Sequence, residues 1–228
     1  MSGIEEYKRL NSRKASIVHV GGFRPTSDPL ASHFCLKPVA RPDEPWASHD
    51  GKPLLFVCQL NLTAALIVPD LLKDIALVTF FVDPDVGGWS DENGQGWCLR
   101  AYKTVEGLTP MNRPVEAPKT KRGFECRWEE CLDFARFDDP DVVVPDGFDA
   151  SDVHLDNVHR TKIGGYASNI QSEPWWGFRR HAAEPKYCLQ IDSELKVDLI
   201  WGDAGTIFLA RGTTAGFKDA WFLDWQCY

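Results

Sequence analysis

Apolar and polar residues alternate with a period of two in several short stretches of the chain. In residues 56–62, Gln59 and Asn61 would share one face of an extended strand, and alternate apolar residues would share the other. Residues 75–82 form an almost continuous apolar run, which is typical of a buried strand. Residues 63–68 would form at most a short helix capped by its first threonine. The pattern predicts mainly β-structure.

Three short sequence signs occur in the same order in both halves of the chain. The first half carries Gly21-Gly22-Phe23, Gln59-Leu60-Asn61 and the apolar stretch 75–82, and the second half carries Gly164-Gly165-Tyr166, Gln190-Ile191-Asp192 and the apolar stretch 205–210. The spacing of the signs agrees to within about a dozen residues, a difference that loops can absorb. Each sign alone would be a chance match, but the ordered set predicts an internal duplication.

Length and composition fit one domain built from two such copies. With 228 residues and 43% apolar residues, the chain can bury a substantial core. Nine Trp and thirteen Phe favour pleated, half-buried strands. We therefore predict a single α+β domain over residues 1–228, mostly antiparallel β with an internal duplication and few short helices. The first copy would span about 18–105, an acidic segment about 125–158, and the second copy about 160–228.

The stretch from Glu129 to Asp156 combines acidic and apolar residues. It holds ten acidic residues against the single basic Arg136, and Phe, Leu and Val residues are interleaved with them. This interleaving predicts an ordered, docked segment with a negative outer surface, which would attract a basic protein. The alternative is a solvated flank that serves solubility. The residues expected to contact a partner are Asp133, Phe137, Asp138, Asp139, Asp141, Asp146 and Asp149.

Charge and cysteine usage restrict the class of protein. The net charge of -8 would repel a phosphate backbone at long range, so we expect no direct nucleic-acid partner. The first residues lack a signal-peptide pattern and no apolar stretch is long enough to cross a membrane, so we expect no membrane partner. Seven cysteines, an odd number without a Cys-x-x-Cys pair, indicate a reducing, cytoplasmic setting.

An ordered set of short motifs along the chain resembles a known family. The set is Gly21-Gly22-Phe23-x-Pro25, Pro53-Leu54-Leu55-Phe56-x-x-Gln59-Leu60-Asn61, Phe80-Phe81, Gly164-Gly165-Tyr166, Leu189-Gln190-Ile191-Asp192 and Trp201-Gly202-Asp203-x-Gly205. It is similar to the YwqG-like family of bacterial proteins of unknown function. The resemblance implies a mostly antiparallel α+β fold with an internal duplication in a cytoplasmic, bacterial protein. It brings no established reaction, but occasional proximity of family members to interbacterial toxin genes would suit an immunity role.

The Gln-x-Asn and Gln-x-Asp pairs offer one candidate ligand site. Residues i and i+2 of a strand point the same way, so each pair projects two hydrogen-bonding groups side by side. If the copies pack around a twofold axis, the pairs would line one cleft; the alternative is that they are buried and satisfy loop backbone. The residues of this candidate site are Gln59, Asn61, Gln190, Asp192, Trp201 and Asp203.

Other motifs are better explained by structure than by chemistry. The two Gly-Gly pairs would permit positive φ in tight connections, and anion binding by their backbone is the alternative. Residues 83–94 hold Asp at calcium-loop positions but Gly where the bidentate Glu is needed, so we predict a hairpin loop. The six histidines show no zinc-binding spacing, and no nucleophile motif occurs. We expect no metal and no cofactor.

These observations lead to two hypotheses of different classes. The first is a non-catalytic cytoplasmic protein-binding module, an immunity protein that occludes the active site of a basic toxin effector through its acidic surface. The alternative is an enzyme or small-ligand-binding protein that uses the polar cleft between the copies. No catalytic residue is assigned under either hypothesis.

Overall fold

A computed structural model describes residues 3–85, 89, 92–119, 122–136, 139–150 and 153–228. The helices are α1 (Gly3–Leu10) and α2 (Trp175–Phe178). The strands are β1 (Ser12–Val20), β2 (His33–Phe34), β3 (Val39–Ala40), β4 (Ser48–His49), β5 (Lys52–Pro53), β6 (Leu55–Asn61), β7 (Leu77–Val82), β8 (Trp97–Tyr102), β9 (Thr109–Pro110), β10 (Phe124–Phe134), β11 (Lys162–Gly164), β12 (Lys186–Asp192), β13 (Thr206–Arg211) and β14 (Trp221–Gln226). Short 3-10 turns span Leu62–Ala64, Asp70–Leu72 and Leu195–Val197.

Ten of the strands form one antiparallel sheet in the order β14-β13-β12-β11-β1-β10-β2-β6-β7-β8. At its centre β1 and β10 pair over nine residues, from Ser12 opposite Phe134 to Val20 opposite Cys126. The strands of the first half extend from β10, and those of the second half extend from β1. The predicted class, α+β and mostly antiparallel β with few helices, is confirmed. The duplication itself stays a prediction, although the order of strands on the two sides of the centre is mirrored.

The sheet is so strongly curled that it nearly closes. An isolated bridge joins Glu92, which precedes β8, to Phe222 in β14, so the two edges of the sheet approach each other. The indole of Trp89 contacts those of Trp201 and Trp225 in the same region, with ring centres 5.8 and 6.1 Å apart. Curling places one face of every long strand inside, which gives the two halves a common core.

The main core cluster draws its largest side chains from both halves. Phe34, Phe80 and Trp97 are fully buried, and they belong to the same cluster as Leu189 and Ile207. Burying an apolar side chain of this size stabilises the fold by on the order of 1.5–3 kcal/mol. The halves therefore fold around one core. Separately, none of the helices in the described ranges is long and apolar enough to cross a membrane.

The predicted strands and turns are found with small shifts, and one helix is corrected. The alternating stretch near Gln59 is β6, and the loop that joins β7 to β8 connects antiparallel neighbours, as a hairpin loop should. The expected helix over 63–68 is instead a single 3-10 turn at Leu62–Ala64. Asn61 caps it, because the Asn61 side chain accepts hydrogen bonds from the backbone N–H and the hydroxyl of Thr63.

The two Gly-Gly pairs adopt the predicted positive φ, between 61° and 80°. At Gly165 a second constraint applies, since a Cβ there would overlap the carboxylate of Asp133. Only glycine fits both the backbone conformation and the space. The prediction of tight connections at these pairs is confirmed.

The acidic segment is only partly a surface feature. Its first residues belong to β10, one of the two central strands of the sheet. In this part of β10, Glu129 and Glu130 are exposed and Asp133 is fully buried, while the apolar Leu132 is 52% exposed. Before residue 135 the acidic segment is therefore a central strand of the sheet.

Stability should fall on mild acidification because of His33. Burial lowers the pKa of this imidazole from 6.5 to about 4, although a backbone hydrogen bond at Lys37 and the charge of Glu125 act in the opposite direction. The unfolded chain thus binds the proton first, and stability is lost as the pH falls from 6.5 towards 4. The lost free energy of unfolding should be about 3 kcal/mol, at 1.4 kcal/mol per pKa unit.

Denaturant unfolding of His33→Leu and of the unchanged chain at several pH values between 7 and 4 measures this contribution. As the pH falls, the free energy of unfolding of the unchanged chain should decrease relative to that of the variant, because the variant lacks the titrating ring. His154→Gln, which removes an exposed histidine, serves as the control. Parallel pH profiles for His33→Leu and the unchanged chain would contradict the assignment.

Candidate functional site

Gln59 of the first polar pair holds loop backbone. The side chain is fully buried on the face of β6 opposite the main core cluster. Its Oε1 accepts a hydrogen bond from the N–H of Val39 at 2.9 Å, and its Nε2 donates to the carbonyls of Pro29 and Ala31 at 2.9 and 3.0 Å. Both amide hydrogens are thereby used, so Gln59 has no donor left for a ligand.

Gln190 plays the matching part in the second half. It is also fully buried, its Oε1 accepts from the N–H of Ser168 at 3.1 Å, and its Nε2 donates to the Arg160 carbonyl at 3.0 Å and to the Ser168 hydroxyl at 3.1 Å. Gln59 thus bonds Ala31 and Val39, which lie two positions before and six positions after the first residue of β2. Gln190 bonds Arg160 and Ser168, which hold the same two positions relative to the first residue of β11. The two side chains occupy equivalent environments.

The neighbouring positions match as well. The hydroxyl of Ser32 accepts a hydrogen bond from the backbone N–H of Asn61 at 2.9 Å, and the hydroxyl of Thr161 accepts one from that of Asp192 at 3.0 Å. The side chain of Asn61 then donates to the carbonyl of Leu30 at 3.0 Å. The two Gln-x-Asn/Asp pairs therefore fasten the segments that cover them.

The polar pairs do not line one common cleft, which corrects the expectation. Each lies under its own loops, with β11, β1, β10 and β2 between their strands. Trp201 is buried in the main core cluster, and Asp203 is exposed. Of the six residues of the candidate ligand site, Asp192 alone lines one of the cavities found in the described part of the chain.

Asp133 and Lys162 form an ion pair with both side chains fully buried. The Lys162 Nζ lies 2.7 Å from Asp133 Oδ2 and also donates to the Val158 carbonyl and the Ser168 hydroxyl. The Asp133 carboxylate accepts two further hydrogen bonds, from the N–H of Tyr166 and the N–H of Val158, each at 2.8 Å. Burial lowers the pKa of Lys162, and the Asp133 carboxylate opposes this.

This pair gives Asp133 a different role from the predicted one. A side chain with no exposure cannot contact a protein partner, so Asp133 is removed from the set of partner-binding residues. Its bonds instead fix the Gly164-Gly165 turn and the segment before β11 to the central strand β10. Through Ser168 the pair also connects to the amide of Gln190.

Asp192 lines a polar cavity of about 290 Å³ beside the end of β1. Its Oδ1 accepts hydrogen bonds from the Thr206 hydroxyl at 2.7 Å and the Ser193 N–H at 3.0 Å. Burial raises the pKa of Asp192, and partial burial lowers the pKa of His159, whose ring still reaches solvent. Both shifts have the same main cause, since desolvation disfavours the charged form of each group.

Further ionisable side chains line the same cavity, which we call the Asp192 cleft. They are His19, Arg160, Glu194 and Lys196. The Lys196 Nζ is tied to the carbonyl of Val20 at 2.7 Å, and the His19 ring contacts the carboxylate of Glu129. The cleft therefore presents both signs of charge to a ligand.

Sequence reasoning missed these residues. His159 precedes the Gly164-Gly165 turn and is exposed, and the pairing of β11 with β12 brings it beside Asp192. In the sequence, the position of His159 shortly before β11, the strand that pairs with the strand of Gln190, could have indicated that it lies near Asp192. In the described ranges, no group of three His, Cys, Asp or Glu side chains has the geometry to hold a metal ion.

Residues 139–150, which we call the docked acidic segment, are fastened to the N-terminal helix. Asn11 is fully buried; it donates to the Val143 carbonyl and accepts from the Val143 N–H, both at 2.8 Å. The Phe148 ring packs on Tyr7 with centres 5.4 Å apart, and Arg13 pairs with Asp141 at 2.8 Å. The segment is ordered and docked.

The charges of this region are mixed. Exposed Glu130 and Asp141 pair with Lys14 and Arg13 of β1 respectively, which neutralises part of the negative surface, and Glu129 contacts His19 of the same strand. Asp146, Asp149 and Asp156 are exposed, and Asp139 is partly buried. Phe137 and Asp138 of the predicted partner-binding set lie outside the described residues. The negative surface is thus smaller than the sequence implied.

Fold and site together define an α+β protein with one curled antiparallel sheet, whose buried amides and carboxylates hold its covering loops. Residues 32–227 match the family described as a domain of unknown function, DUF1963. This match covers most of the chain, and the chain belongs to that family. No curated protein matches the sequence at a significant level.

Replacing the two members of the buried ion pair should have unequal effects. Asp133→Ala leaves a buried ammonium and two backbone N–H groups without their acceptor, and it should lower the free energy of unfolding by about 3–5 kcal/mol. Lys162→Met should cost at least about 1 kcal/mol less, because Asp133 keeps its two backbone donors. The double variant should lose less than the sum of the two.

Chemical denaturation of the four proteins tests this order. Lys14→Met, which breaks the exposed pair with Glu130, is the matched control and should cost less than about 0.5 kcal/mol. Additive losses, or a larger loss for Lys162→Met than for Asp133→Ala, would show that the pair does not act as described.

Proposed function

We propose that this protein is a non-catalytic, cytoplasmic protein-binding module whose partner is a basic protein. Within its family, we place the protein among the YwqG-like proteins. Its proposed role is that of an immunity protein, which occludes the active site of a secreted toxin effector. The observation that carries the proposal is the docked acidic segment, which combines exposed acidic and apolar side chains on a fixed backbone.

The apolar part of this surface is formed by Val143 and Val144. Both are 49% exposed, although they lie next to each other on a segment whose backbone is held by Asn11. Adjacent half-exposed valines on a fixed loop supply a contact that needs little ordering on binding. They would form the water-excluding centre of an interface.

The acidic part would set the rate of association and the choice of partner. Asp146 and Asp149 follow the valines and are exposed, and the net charge of the chain is -8. A field of this sign accelerates the approach of a basic protein and is screened beyond about 8 Å at physiological ionic strength. Binding should therefore be salt-sensitive in rate more than in lifetime.

The test measures binding of the purified product of the neighbouring gene, in a catalytically inactive form, by calorimetry and by association kinetics. Val143→Ser/Val144→Ser should weaken the affinity at least about tenfold, mainly through faster dissociation. Asp146→Asn/Asp149→Asn should slow association several-fold and flatten its dependence on salt.

Asp43→Asn/Glu106→Gln is the matched control, because it removes two exposed carboxylates elsewhere and changes the net charge equally. It should alter affinity and rate only slightly. Absence of a complex would contradict the immunity proposal. Equal binding by the valine variant and the control would exclude the docked acidic segment as the interface.

A second candidate function is supported by the Asp192 cleft. Its lining carries the carboxylates of Asp192 and Glu194 together with the cations Arg160 and Lys196. Groups of both signs in a cavity of about 290 Å³ suit a small zwitterion such as a free amino acid. We propose such a ligand only as the alternative to the protein-binding function.

Titration calorimetry with free amino acids tests the alternative. Binding should be lost in Asp192→Asn and retained in Asp203→Asn, which changes an exposed carboxylate outside the cleft. Because burial raises the pKa of Asp192, this carboxylate becomes protonated at a higher pH than an ordinary one. As the pH falls, affinity should therefore decline before ordinary carboxylates are protonated. Binding that survives Asp192→Asn would rule out the cleft as the site.

A further inference from the structure

A second cavity, which is basic, is lined by residues of α2, of the segment between α2 and β12, and by the first residue of β12. It has a volume of about 610 Å³, and we call it the basic groove. Its lining residues are Trp176, Gly177, Arg179, Arg180, His181, Glu184, Pro185 and Lys186. Arg180 and Lys186 are exposed, and Trp176 is half-buried.

The charge of this groove differs from that of the whole chain. Its described lining residues include three basic side chains, Arg179, Arg180 and Lys186, and one carboxylate, Glu184. The chain as a whole carries 33 acidic residues against 25 basic ones. Such a local excess of positive charge in a net negative protein attracts anions at short range.

The wall of the groove is fixed by an aromatic cluster. The indole N–H of buried Trp175 donates to the Leu223 carbonyl at 3.0 Å, and its ring contacts Trp176 and Phe222 edge to face. His181 packs on Phe222 with ring centres 4.8 Å apart. Trp176 and His181 are therefore held in place before any ligand arrives.

The far side of the groove is tied to the turn that joins β13 to β14. The hydroxyl of Thr213 donates to the carbonyl of Glu184 at 2.9 Å, and that of Thr214 donates to the carbonyl of Ala182 at 2.7 Å. Fixing the backbone on both sides lowers the ordering cost of binding. The groove is thus preorganised although it lies in a connection between secondary-structure elements.

His181 can contribute a hydrogen-bond donor. Its Nδ1 accepts a hydrogen bond from the N–H of Ala183 at 3.0 Å, so the neutral ring carries its proton on Nε2. Guanidinium groups of the kind found here bind phosphate and carboxylate oxygens through paired N–H donors. The chemistry of the lining is that of an oxyanion site beside an indole.

We propose that the basic groove binds a small anionic ligand whose oxyanion group lies at Arg180 and Lys186 and whose planar or apolar part packs on Trp176. Phosphate and carboxylate share the chemistry that the lining recognises. This proposal is independent of the protein-binding function, since none of its residues belongs to the docked acidic segment.

Calorimetric titrations with adenosine monophosphate, inorganic phosphate, citrate and adenosine separate the parts of the ligand. Adenosine monophosphate should bind most tightly of the phosphate probes because it supplies both an oxyanion and a ring, and adenosine alone should bind at least about tenfold more weakly. A response to citrate but not to phosphate would assign the site to carboxylates.

The variant Arg180→Gln/Lys186→Gln should weaken binding of adenosine monophosphate at least about tenfold. Arg24→Gln/Lys52→Gln, which removes two exposed cations elsewhere, should leave it unchanged. Trp176→Leu should abolish the preference for adenosine monophosphate over phosphate while leaving phosphate binding, and unfolding curves should confirm that all variants are folded.

Three results would overturn the proposal. One is the absence of saturable binding of every anionic probe up to about 10 mM, which corresponds to less than about 3 kcal/mol of binding free energy. Another is equal binding by the Arg180→Gln/Lys186→Gln variant and its control. The third is adenosine binding as tight as that of adenosine monophosphate.

Discussion

The pairing of β1 with β10 is the interaction on which the rest of the structure depends. Its nine residue pairs join the two halves of the sheet, and each strand supports the half that lies on its free edge. The N-terminal strand thus carries the C-terminal half of the sheet. Because the paired residues are more than 100 positions apart in sequence, forming this ladder costs the entropy of closing a long loop.

Buried polar side chains convert this sheet into a scaffold with fixed loops. Gln59, Gln190, Asp133 and Glu125 project from strands of the sheet, and each binds backbone N–H or carbonyl groups of a covering segment. Unmet bonds at such positions are costly in a low-dielectric interior, so the loops have one strongly preferred arrangement. The surfaces available for binding follow from these internal bonds.

The strands with clear alternation could be predicted from the sequence, whereas the central ladder could not. Strands β6, β7 and β12 stand out because one or both faces are apolar, and period-two reading detects that. The exposed acids of β10 hide its packed face. The role of Asp133 depends on Lys162, which the pairing of β1 with β10 and with β11 brings within hydrogen-bond distance. His159 lies beside Asp192 because β11 pairs with β12. Local pattern carries no information about such long-range neighbours.

The acidic and basic surfaces of the chain act over different distances. A cavity of about 410 Å³, lined by Asp141, Tyr166, Trp176 and Lys186 among others, adjoins both the docked acidic segment and the basic groove. The net charge of -8 governs what approaches from beyond a Debye length of about 8 Å, so it favours a basic macromolecule. Within that length the nearest cations dominate, and a small anion reaching the groove meets their attraction. Opposite ligand preferences can therefore coexist on neighbouring surfaces of one small protein.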